Sequence, residues 1–308
     1  DKLRLYSSPD GRSLRETLAA LHGIDADQVI LGNGSDDVLN VLARAFSGPD
    51  HKLATIAPAY SLYLSLASLQ NAEIHILEFD RDFSLPVEKI INCGAGVFFL
   101  TSPNAPAGRG YSNETLRNIL SDCSGLLVVD EAYADFADTN AVELLAEFPN
   151  LFITRTFSKS YALAGLRVGY GMGDPDLVRI LHRVRDVYNV DRLAQAGAQA
   201  AVEDAAYFEE SLQKVLAARS RFTADLESRG WFTYPTQANF VFTEPVDATS
   251  RKGPEIAASV FRFLKEQKIL VRYFPNHPLT ESFLRVTIGT DSEMQTLNRA
   301  IDQWMANV

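Results

Sequence analysis

The chain has 308 residues, of which 46% are hydrophobic and 22% charged, and its formal net charge is −10. The length predicts two domains, and the acidic balance argues against nucleic acid or an anionic membrane surface as a partner. No apolar run approaches the roughly 18 residues of a membrane helix, and the first residues lack the apolar core of a signal peptide.

Short β-rich runs alternate with amphipathic segments through the first two-thirds of the chain. The predicted strands are Gln28–Leu31, Leu53–Ile56, Ile74–Phe79, Val97–Leu100, Leu126–Val129, Leu151–Thr154 and Val168–Met172. Helical patterns between them include Ser35–Ala45, Ser61–Gln70 and Asn113–Ser121. This alternation predicts an α/β fold with a mostly parallel seven-stranded sheet sandwiched by helices.

The last third predicts a smaller α+β domain. A long helical pattern from Ala205 to Arg229 ends at Gly230, a typical residue just beyond a helix C-terminus. The elements predicted after it are strand Phe240–Phe242, helix Ile256–Gln267, strands Ile269–Tyr273 and Phe283–Ile288, and helix Ser292–Trp304. The expected division is an N-terminal segment 1–10, a large domain 11–205 and a small domain 206–308.

Chemically distinctive residues follow five of the predicted strands. The carboxyl ends of parallel strands meet at one sheet edge, where ligands bind in open α/β folds. The groups expected there are the glycine-rich helix start Gly32–Asp36, the ring of Tyr60, the proline turn Thr101–Gly108, the carboxylate of Asp130 and the amine of Lys159. Each alone has an ordinary explanation, such as a helix cap, a packed ring, a loop or a solvated lysine.

Lys159 follows the apolar run Leu151–Thr154, and Arg167 comes eight positions later. This pairing suggests an amine for covalent chemistry beside a guanidinium that can hold a phosphate. Together the edge would carry a phosphate site, an aromatic plate, a buried acid, an amine and an arginine. Pyridoxal phosphate fits this set, because it has a phosphate, a flat ring, a ring nitrogen that needs a counter-charge, and an aldehyde.

Seven motifs extend this pattern over nearly the whole chain. They are Asn33–Asp37, Pro58–Tyr63, Asp130–Tyr133, Arg155–Lys159, Leu163–Gly169, Ala238–Phe240 and Leu284–Thr290. In content and order they resemble fold-type I pyridoxal-phosphate aminotransferases, and in particular the histidinol-phosphate aminotransferase branch. The stretch from Lys159 to Arg167 is the most specific of them.

The resemblance implies a role for each residue that matches a family motif at the cofactor. Lys159 would bond the cofactor and move the proton at the reacting carbon. Asp130 would keep the ring nitrogen protonated, and Tyr133 would donate to the phenolic oxygen. Tyr60 would stack on the ring. The implied phosphate contacts are Ser35, Asp36, Thr156 or Ser158, and Arg167.

The resemblance also implies substrate contacts and a homodimer. Arg285, with Arg272 and Asn239, would bind the substrate, and guanidinium donors suit both a carboxylate and a phosphate. An exposed arginine on an edge strand is the alternative for Arg272. Tyr6 matches a tyrosine that reaches the cofactor phosphate of the neighbouring subunit.

The chain departs from the family pattern in two places. Ala105 replaces the second Asn of the family loop, so Asn104, Tyr133 alone, or a water would contact the phenolic oxygen. The sequence begins near Tyr6, without the arm that precedes this position in the family. Disorder of the arm, a trimmed sequence or a short variant would each produce this start.

The expected reaction is transamination of L-histidinol phosphate with 2-oxoglutarate, a step of histidine synthesis. The alternatives are an aromatic amino-acid aminotransferase, a lyase that resembles threonine-phosphate decarboxylases, and a sensor that has lost turnover. The two cysteines and five scattered histidines predict neither disulfides nor a metal site. A cytoplasmic protein is therefore expected.

Overall fold

The computed structural model describes residues 3–307 of the chain. Its larger sheet has seven strands in the order β1-β7-β6-β5-β4-β2-β3. Only β7 runs antiparallel to its neighbours, β1 and β6, so the mostly parallel sheet predicted from the sequence is confirmed. The strands are β1 Val29–Gly32, β2 Leu53–Ala57, β3 Ile74–Glu78, β4 Val97–Thr101, β5 Leu126–Asp130, β6 Leu151–Thr156 and β7 Gly169–Gly173.

Helices cover both faces of this sheet. They are α1 Arg12–His22, α2 Ser35–Phe46, α3 Leu62–Leu69, α4 Val87–Ile91, α5 Asn113–Asp122, α6 Pro175–Val184 and α7 Arg192–Glu203. One apolar core contains buried residues of α1, α4, α5 and α7, and the other contains those of α2, α3 and α6.

Strand β5 shows why the sequence forms a two-sided layer. Successive side chains of a strand point to opposite faces. Accordingly, Leu127 and Val129 lie in one core, whereas Leu126 and Val128 lie in the other. A strand that buries both faces is apolar throughout, and each buried Leu or Val side chain stabilises the fold by about 1.5–3 kcal/mol.

The C-terminal part of the chain forms a four-stranded antiparallel sheet in the order β10-β11-β9-β8. Three helices pack on it around a core that includes Phe222, Leu264 and Trp304. The elements are α8 Ala205–Ser228, β8 Phe232–Thr233, β9 Phe240–Glu244, α9 Pro254–Glu266, β10 Arg272–Tyr273, β11 Leu284–Thr287 and α10 Asp291–Ala306.

Strand β10 is shorter than the sequence predicted. The backbone N–H of Ile269 still donates to the carbonyl of Leu264, and Lys268 has a φ of 62°. The residues before Arg272 therefore complete the turn that leaves α9 and cannot pair with β11. Leu270, which the apolar pattern assigned to a strand, is 82% exposed.

Contacts between the two parts position the site. Arg219 Nη1 on α8 donates to the carbonyls of Phe136 at 3.2 Å and Ala238 at 2.8 Å. The backbone N–H of Gln237 donates to the carbonyl of Gly108 at 2.7 Å. Along the chain, all strands of the larger sheet precede α7 and all strands of the smaller sheet follow α8. The domain boundary near residue 205 stays a prediction.

None of the helices within residues 3–307 combines the length and apolar character that crossing a membrane requires. In that same part of the chain, no group of three or more His, Cys, Asp or Glu side chains is arranged to hold a metal ion.

Candidate active site

A cavity of about 790 Å³ opens at the carboxyl edge of the larger sheet, facing the small domain. The ends of β2, β4, β5 and β6 and the start of α2, which follows β1, contribute to its wall, as the topology requires. Eleven of the site residues expected from the sequence line it: Ser35, Asp36, Tyr60, Asp130, Tyr133, Thr156, Ser158, Lys159, Arg167, Arg272 and Arg285.

Lys159 lies in the turn that follows β6. Phe157, two residues before Lys159, has a fully buried side chain that anchors this turn. The half-buried amine of Lys159 lies 5.4 Å from the centre of the Tyr133 ring. It makes no ion pair or hydrogen bond within residues 3–307. The amine therefore faces the cavity without a partner from the described chain.

Asp130 is the last residue of β5 and is only 4% exposed. Its Oδ2 accepts a hydrogen bond from Tyr63 Oη at 2.8 Å, and its Oδ1 accepts one from Thr154 Oγ1 at 3.1 Å. Burial raises the pKa of Asp130, while these two bonds oppose the rise. An ionised carboxylate at this depth needs a cation, and the cavity is where a ligand could supply one.

Tyr63 is a site residue that the sequence analysis did not assign. It lies on α3, one helical turn after Tyr60, and its hydroxyl also lies 2.7 Å from Thr101 Oγ1. Burial raises its pKa well above the ordinary value, and the adjacent Asp130 adds to the rise. Tyr63 therefore remains a neutral donor that fixes the orientation of the Asp130 carboxylate.

The start of α2 forms one wall of the cavity. The helix begins at Ser35 after Gly34, with no side-chain cap, so its first N–H groups are available to an anion. The guanidinium of Arg167 packs on Gly34, where an added Cβ would lie 2.5 Å from Nη2. Thr156 Oγ1 donates to Ser158 Oγ at 3.0 Å beside it.

The carboxylate of Asp36 is held on the same wall. Its Oδ2 lies 3.3 Å from Arg167 Nη2, and its Oδ1 accepts a bond of 3.3 Å from Tyr60 Oη. This carboxylate would repel an anion, so Asp36 can bind an anion only by donating its backbone N–H. Tyr60 itself is 42% exposed, which leaves the ring free for a flat ligand.

Arg285 supplies the opposite side of the cavity from β11. Its guanidinium carbon lies 4.9 Å from the centre of the Phe240 ring and 5.5 Å from that of Phe274. The buried Nε has no hydrogen-bond partner in the described part of the chain, and burial lowers the pKa of Arg285. A desolvated guanidinium between aromatic faces, with no acid paired to it in residues 3–307, is suited to bind an anion.

Arg272 lies opposite Arg285 in the register of β10 and β11. Strand β10 is the edge of the small sheet, and Arg272 is exposed there, yet it also lines the cavity. The exposed edge-strand position is therefore observed, while a role for Arg272 in binding the substrate stays a prediction. Phe274, which follows on the same segment, was not assigned from the sequence.

Three expected residues lie away from the cavity wall. Asn104 Oδ1 accepts from the backbone N–H of Ala107 at 3.2 Å, so this side chain braces its own loop, while Ala105 faces the cavity. Asn239 pairs through its carbonyl with the N–H of Ile288 at 2.8 Å. Tyr6 stacks on Tyr188 with ring centres 4.7 Å apart and is 79% exposed.

The fold and this site define a class of protein. The chain belongs to the class I and II aminotransferases, since the model of that family matches residues 1–301. The predicted resemblance to the histidinol-phosphate aminotransferase branch is confirmed by two relatives of that name. The relative from Microcystis aeruginosa is 42% identical over 307 residues, which is 99% of this chain and 85% of the relative. The relative from Citrifermentans bemidjiense is 42% identical over 299 residues, which is 97% of this chain and 83% of the relative.

Solved structures confirm the fold-type I architecture. Histidinol-phosphate aminotransferase from Sinorhizobium meliloti, solved in complex with pyridoxal-5'-phosphate, has a TM-score of 0.90 at 24% identity, covering 99% of this chain and 84% of its own. L-threonine-O-3-phosphate decarboxylase from Porphyromonas gingivalis has a TM-score of 0.84 at 22% identity, covering 99% of this chain and 91% of its own. At these identities the likeness concerns the fold.

Proposed function

We propose that this protein is a pyridoxal-phosphate-dependent transaminase that transfers the amino group of L-histidinol phosphate to 2-oxoglutarate. The names of the relatives at about 40% identity support the amino donor. The observation that carries the proposal is that one cavity holds the Lys159 amine and the Arg285 guanidinium, neither of which has an acid partner among residues 3–307. That pairing provides a reactive amine and an anion site for one substrate.

The residues present fit the cofactor. The first turn of α2, Thr156 or Ser158, and Arg167 would hold the phosphate. The exposed face of Tyr60 would cover the ring. Asp130, buried and held by Tyr63, would meet the charge of the ring nitrogen, and this contact offsets the cost of burying the carboxylate.

When bound, the cofactor supplies an electron-withdrawing ring that makes the bonds at the substrate Cα easier to break. Lys159 provides the amine that holds the cofactor and carries the proton removed at Cα. Asp130 keeps the ring nitrogen protonated, which the withdrawal of electrons requires. Tyr133 lies 5.4 Å from the Lys159 amine, measured to its ring centre, and would donate to the phenolic oxygen.

Arg285 and Arg272 would bind the anionic end of each substrate in turn. Histidinol phosphate presents a phosphate and the oxo acid a carboxylate, and planar guanidinium donors match both. The aromatic faces of Phe240 and Phe274 hold the Arg285 guanidinium in place before either anion arrives. A preformed, desolvated donor loses little freedom when the anion binds.

A second copy of the chain would complete the site. The residues around the Tyr6–Tyr188 stack are exposed and apolar, which is typical of a surface that pairs with another protein. They include Leu5, Tyr6, Val187, Tyr188 and Leu193. We infer a homodimer in which Tyr6 reaches the cofactor phosphate of the other subunit.

The direct test uses purified protein with pyridoxal phosphate, L-histidinol phosphate and 2-oxoglutarate, with glutamate as the readout. Glutamate should form only when both substrates are present, and its absence would refute the proposal. Phenylalanine and tyrosine as donors test the aromatic alternative. O-phosphothreonine without an oxo acid tests the lyase, for which the decarboxylase from Porphyromonas gingivalis has the same fold. Release of carbon dioxide from O-phosphothreonine would identify the protein as a decarboxylase rather than a transaminase.

A further inference from the structure

A buried cluster of charged residues lies directly behind the Lys159 turn. It consists of Arg155 on β6, Glu131 just after β5, and Asp135 in the short 3₁₀ turn Ala134–Phe136. Arg155 is 5% exposed and Glu131 is 3% exposed. None of the three lines the cavity, so the proposed reaction does not use them directly.

One guanidinium joins both acids. Arg155 Nε lies 2.9 Å and Nη2 2.7 Å from Glu131 Oε2, while Nη1 lies 2.9 Å from Asp135 Oδ1. The other oxygen of Asp135, Oδ2, accepts a hydrogen bond from Ser160 Oγ. Glu131 Oε1 in turn accepts the backbone N–H of Ala141 at 2.6 Å. Both acids are therefore bonded to the surrounding chain, although Nη2 of Arg155 is buried and makes no hydrogen bond within residues 3–307.

The positions of these bonds connect the two central residues of the site. Glu131 directly follows Asp130 in the chain, and Ser160 directly follows Lys159. The Arg155 guanidinium thus links the neighbours of both through a rigid, planar fork. The Lys159 side chain has no ion pair or hydrogen bond of its own among residues 3–307, so its placement depends on the turn that Ser160 fixes.

Stability alone is a weak reason for such a cluster. Burying an ion pair costs desolvation energy that is often as large as the attraction, and apolar replacements are frequently neutral or stabilising. Here one cation meets two acids, of which Glu131 is buried and Asp135 is half-buried. A cluster of this kind gives geometric precision, because each bond has a defined direction.

We propose that Arg155, Glu131, Asp135 and Ser160 form a positioning unit that fixes the amine of Lys159 relative to Asp130. The inference rests on the proposed function, because it concerns how this amine meets the aldehyde of pyridoxal phosphate. The unit acts through Lys159 and does not touch the cofactor. A misplacement of about 1 Å at a reacting group can lower a rate roughly 100-fold, so a rigid support has a large effect.

Two forms of the cofactor separate positioning from general damage. The aldehyde form, pyridoxal phosphate, condenses with the Lys159 amine and releases one water. The amine form, pyridoxamine phosphate, cannot make this bond but occupies the same cavity. Dissociation constants of both forms, measured by fluorescence on the cofactor-free protein, therefore report the covalent contribution of Lys159 separately from the rest of the site.

In Ser160→Ala, which removes only the bond to Asp135, the aldehyde form should bind about tenfold more weakly, while the amine form should bind within about twofold of wild type. Arg155→Lys keeps the positive charge but loses the planar guanidinium with its several donors. It should weaken binding of the aldehyde form, relative to the amine form, by a larger factor than Ser160→Ala does. The visible absorbance of the bound aldehyde form changes with pH, and the midpoint of that change should shift in both variants. Equal weakening of both forms, or no change in either, would overturn the proposal.

Matched controls are available on the surface. Ser121 Oγ donates to the carbonyl of Arg117 at 2.8 Å, and Arg117 forms an exposed two-armed pair with Glu147 at 2.9 Å. Ser121→Ala and Arg117→Lys should leave both dissociation constants unchanged. If Arg155→Lys fails to fold, Ser160→Ala still decides the question. If wild-type protein itself forms no reducible bond with the aldehyde, the proposed function fails, which is a separate result.

Discussion

The amine of Lys159 is unusual for a lysine in a folded chain, because it has neither an acid partner in residues 3–307 nor full exposure to water. The amine lies 5.4 Å from the centre of the Tyr133 ring. Lysine amines are strongly hydrated, and most lysines lie at the surface. Under the proposed function, the reaction with the cofactor aldehyde accounts for the placement of this one.

The first prediction concerns this lysine. Lys159→Ala should fold normally but lose the visible absorbance that borohydride reduction fixes to the protein, because no other amine of the described chain lines the cavity. Absorbance spectra and peptide mapping after reduction would measure this. Lys52→Ala, which removes an exposed lysine paired with Glu73 at 2.8 Å, is the control. A reducible adduct on another lysine would contradict the site.

The second prediction concerns the pH dependence of stability at Asp130. Burial raises its pKa in the folded, cofactor-free protein above the ordinary value of 3.8. The folded state then holds the proton more tightly than the unfolded state, so wild-type stability should fall as pH rises from about 3.8 through the folded pKa. Asp130→Asn cannot ionise and should not show this loss.

Denaturant unfolding of the two cofactor-free proteins provides the measurement. The variant should exceed wild type in free energy of unfolding at about pH 7, and the difference should shrink toward about pH 4. The same variant should bind the cofactor but be nearly inactive, because it cannot hold the ring nitrogen protonated. A stability difference that does not depend on pH would show that the carboxylate is not strained by burial.

At the level of elements, strand β7 supports the start of α2. Gly169 lies so close to this helix start that an added Cβ would meet the Ser35 nitrogen at 2.1 Å and the Gly34 carbon at 2.5 Å. Neither atom can move without shifting the anion-binding wall, since both belong to the backbone. A glycine is therefore required here by the packing of strand against helix.

Gly169→Ala should accordingly weaken phosphate binding and lower the free energy of unfolding by about 1–3 kcal/mol. Calorimetric titration of the cofactor-free protein with inorganic phosphate, together with denaturant unfolding, would measure both effects. Gly165→Ala is the control, because an added Cβ there meets no atom within 4 Å and its φ is not positive. Unchanged phosphate affinity in Gly169→Ala would mean that the first turn of α2 is not the phosphate site.

Strands were the easiest elements to predict, and this has a physical reason. Runs such as Leu126–Val129 are apolar because both faces are buried, so they stand out from their surroundings. Helices α6 and α7 were not predicted, although Asp174 with Pro175, and Asp191, are typical helix starts. Helix α1 begins after Gly11 with no side-chain cap, so its start carries no such signal.

The site was predictable to the extent that it depends on strand ends. Lys159 and Asp130 share one cavity because parallel strands end at one edge, which the alternation of elements already implied. Side-chain direction was not predictable. The carboxylate of Asp36 turns to Arg167 and Tyr63 turns toward Asp130, and both outcomes depend on contacts distant in sequence. Asn104 turns into its own loop, where the backbone N–H of Ala107 is its partner.

For the whole molecule, the exposed surface around Tyr6 and Tyr188 leads to a prediction about assembly. The protein should sediment at twice the mass of one chain, and Val187→Asp should shift it toward the monomer, because a charge in an apolar interface is costly to bury. Leu270→Asp, at an 82% exposed position of the small domain, should leave the dimer intact. A wild-type monomer at micromolar concentration would contradict the inferred homodimer.

Under the proposed function, the amine that bonds the cofactor and the guanidinium that binds the anion belong to different parts of the chain, with Lys159 after β6 and Arg285 on β11. The distance between these two side chains therefore depends on how the large and small sheets are joined. Helix α8 and the hydrogen bonds of its Arg219 make that connection. A few degrees of rotation at that joint would lengthen or shorten the gap while leaving the chemistry at both ends intact. Preference for a donor of a given length is thus adjustable from residues that no substrate ever meets.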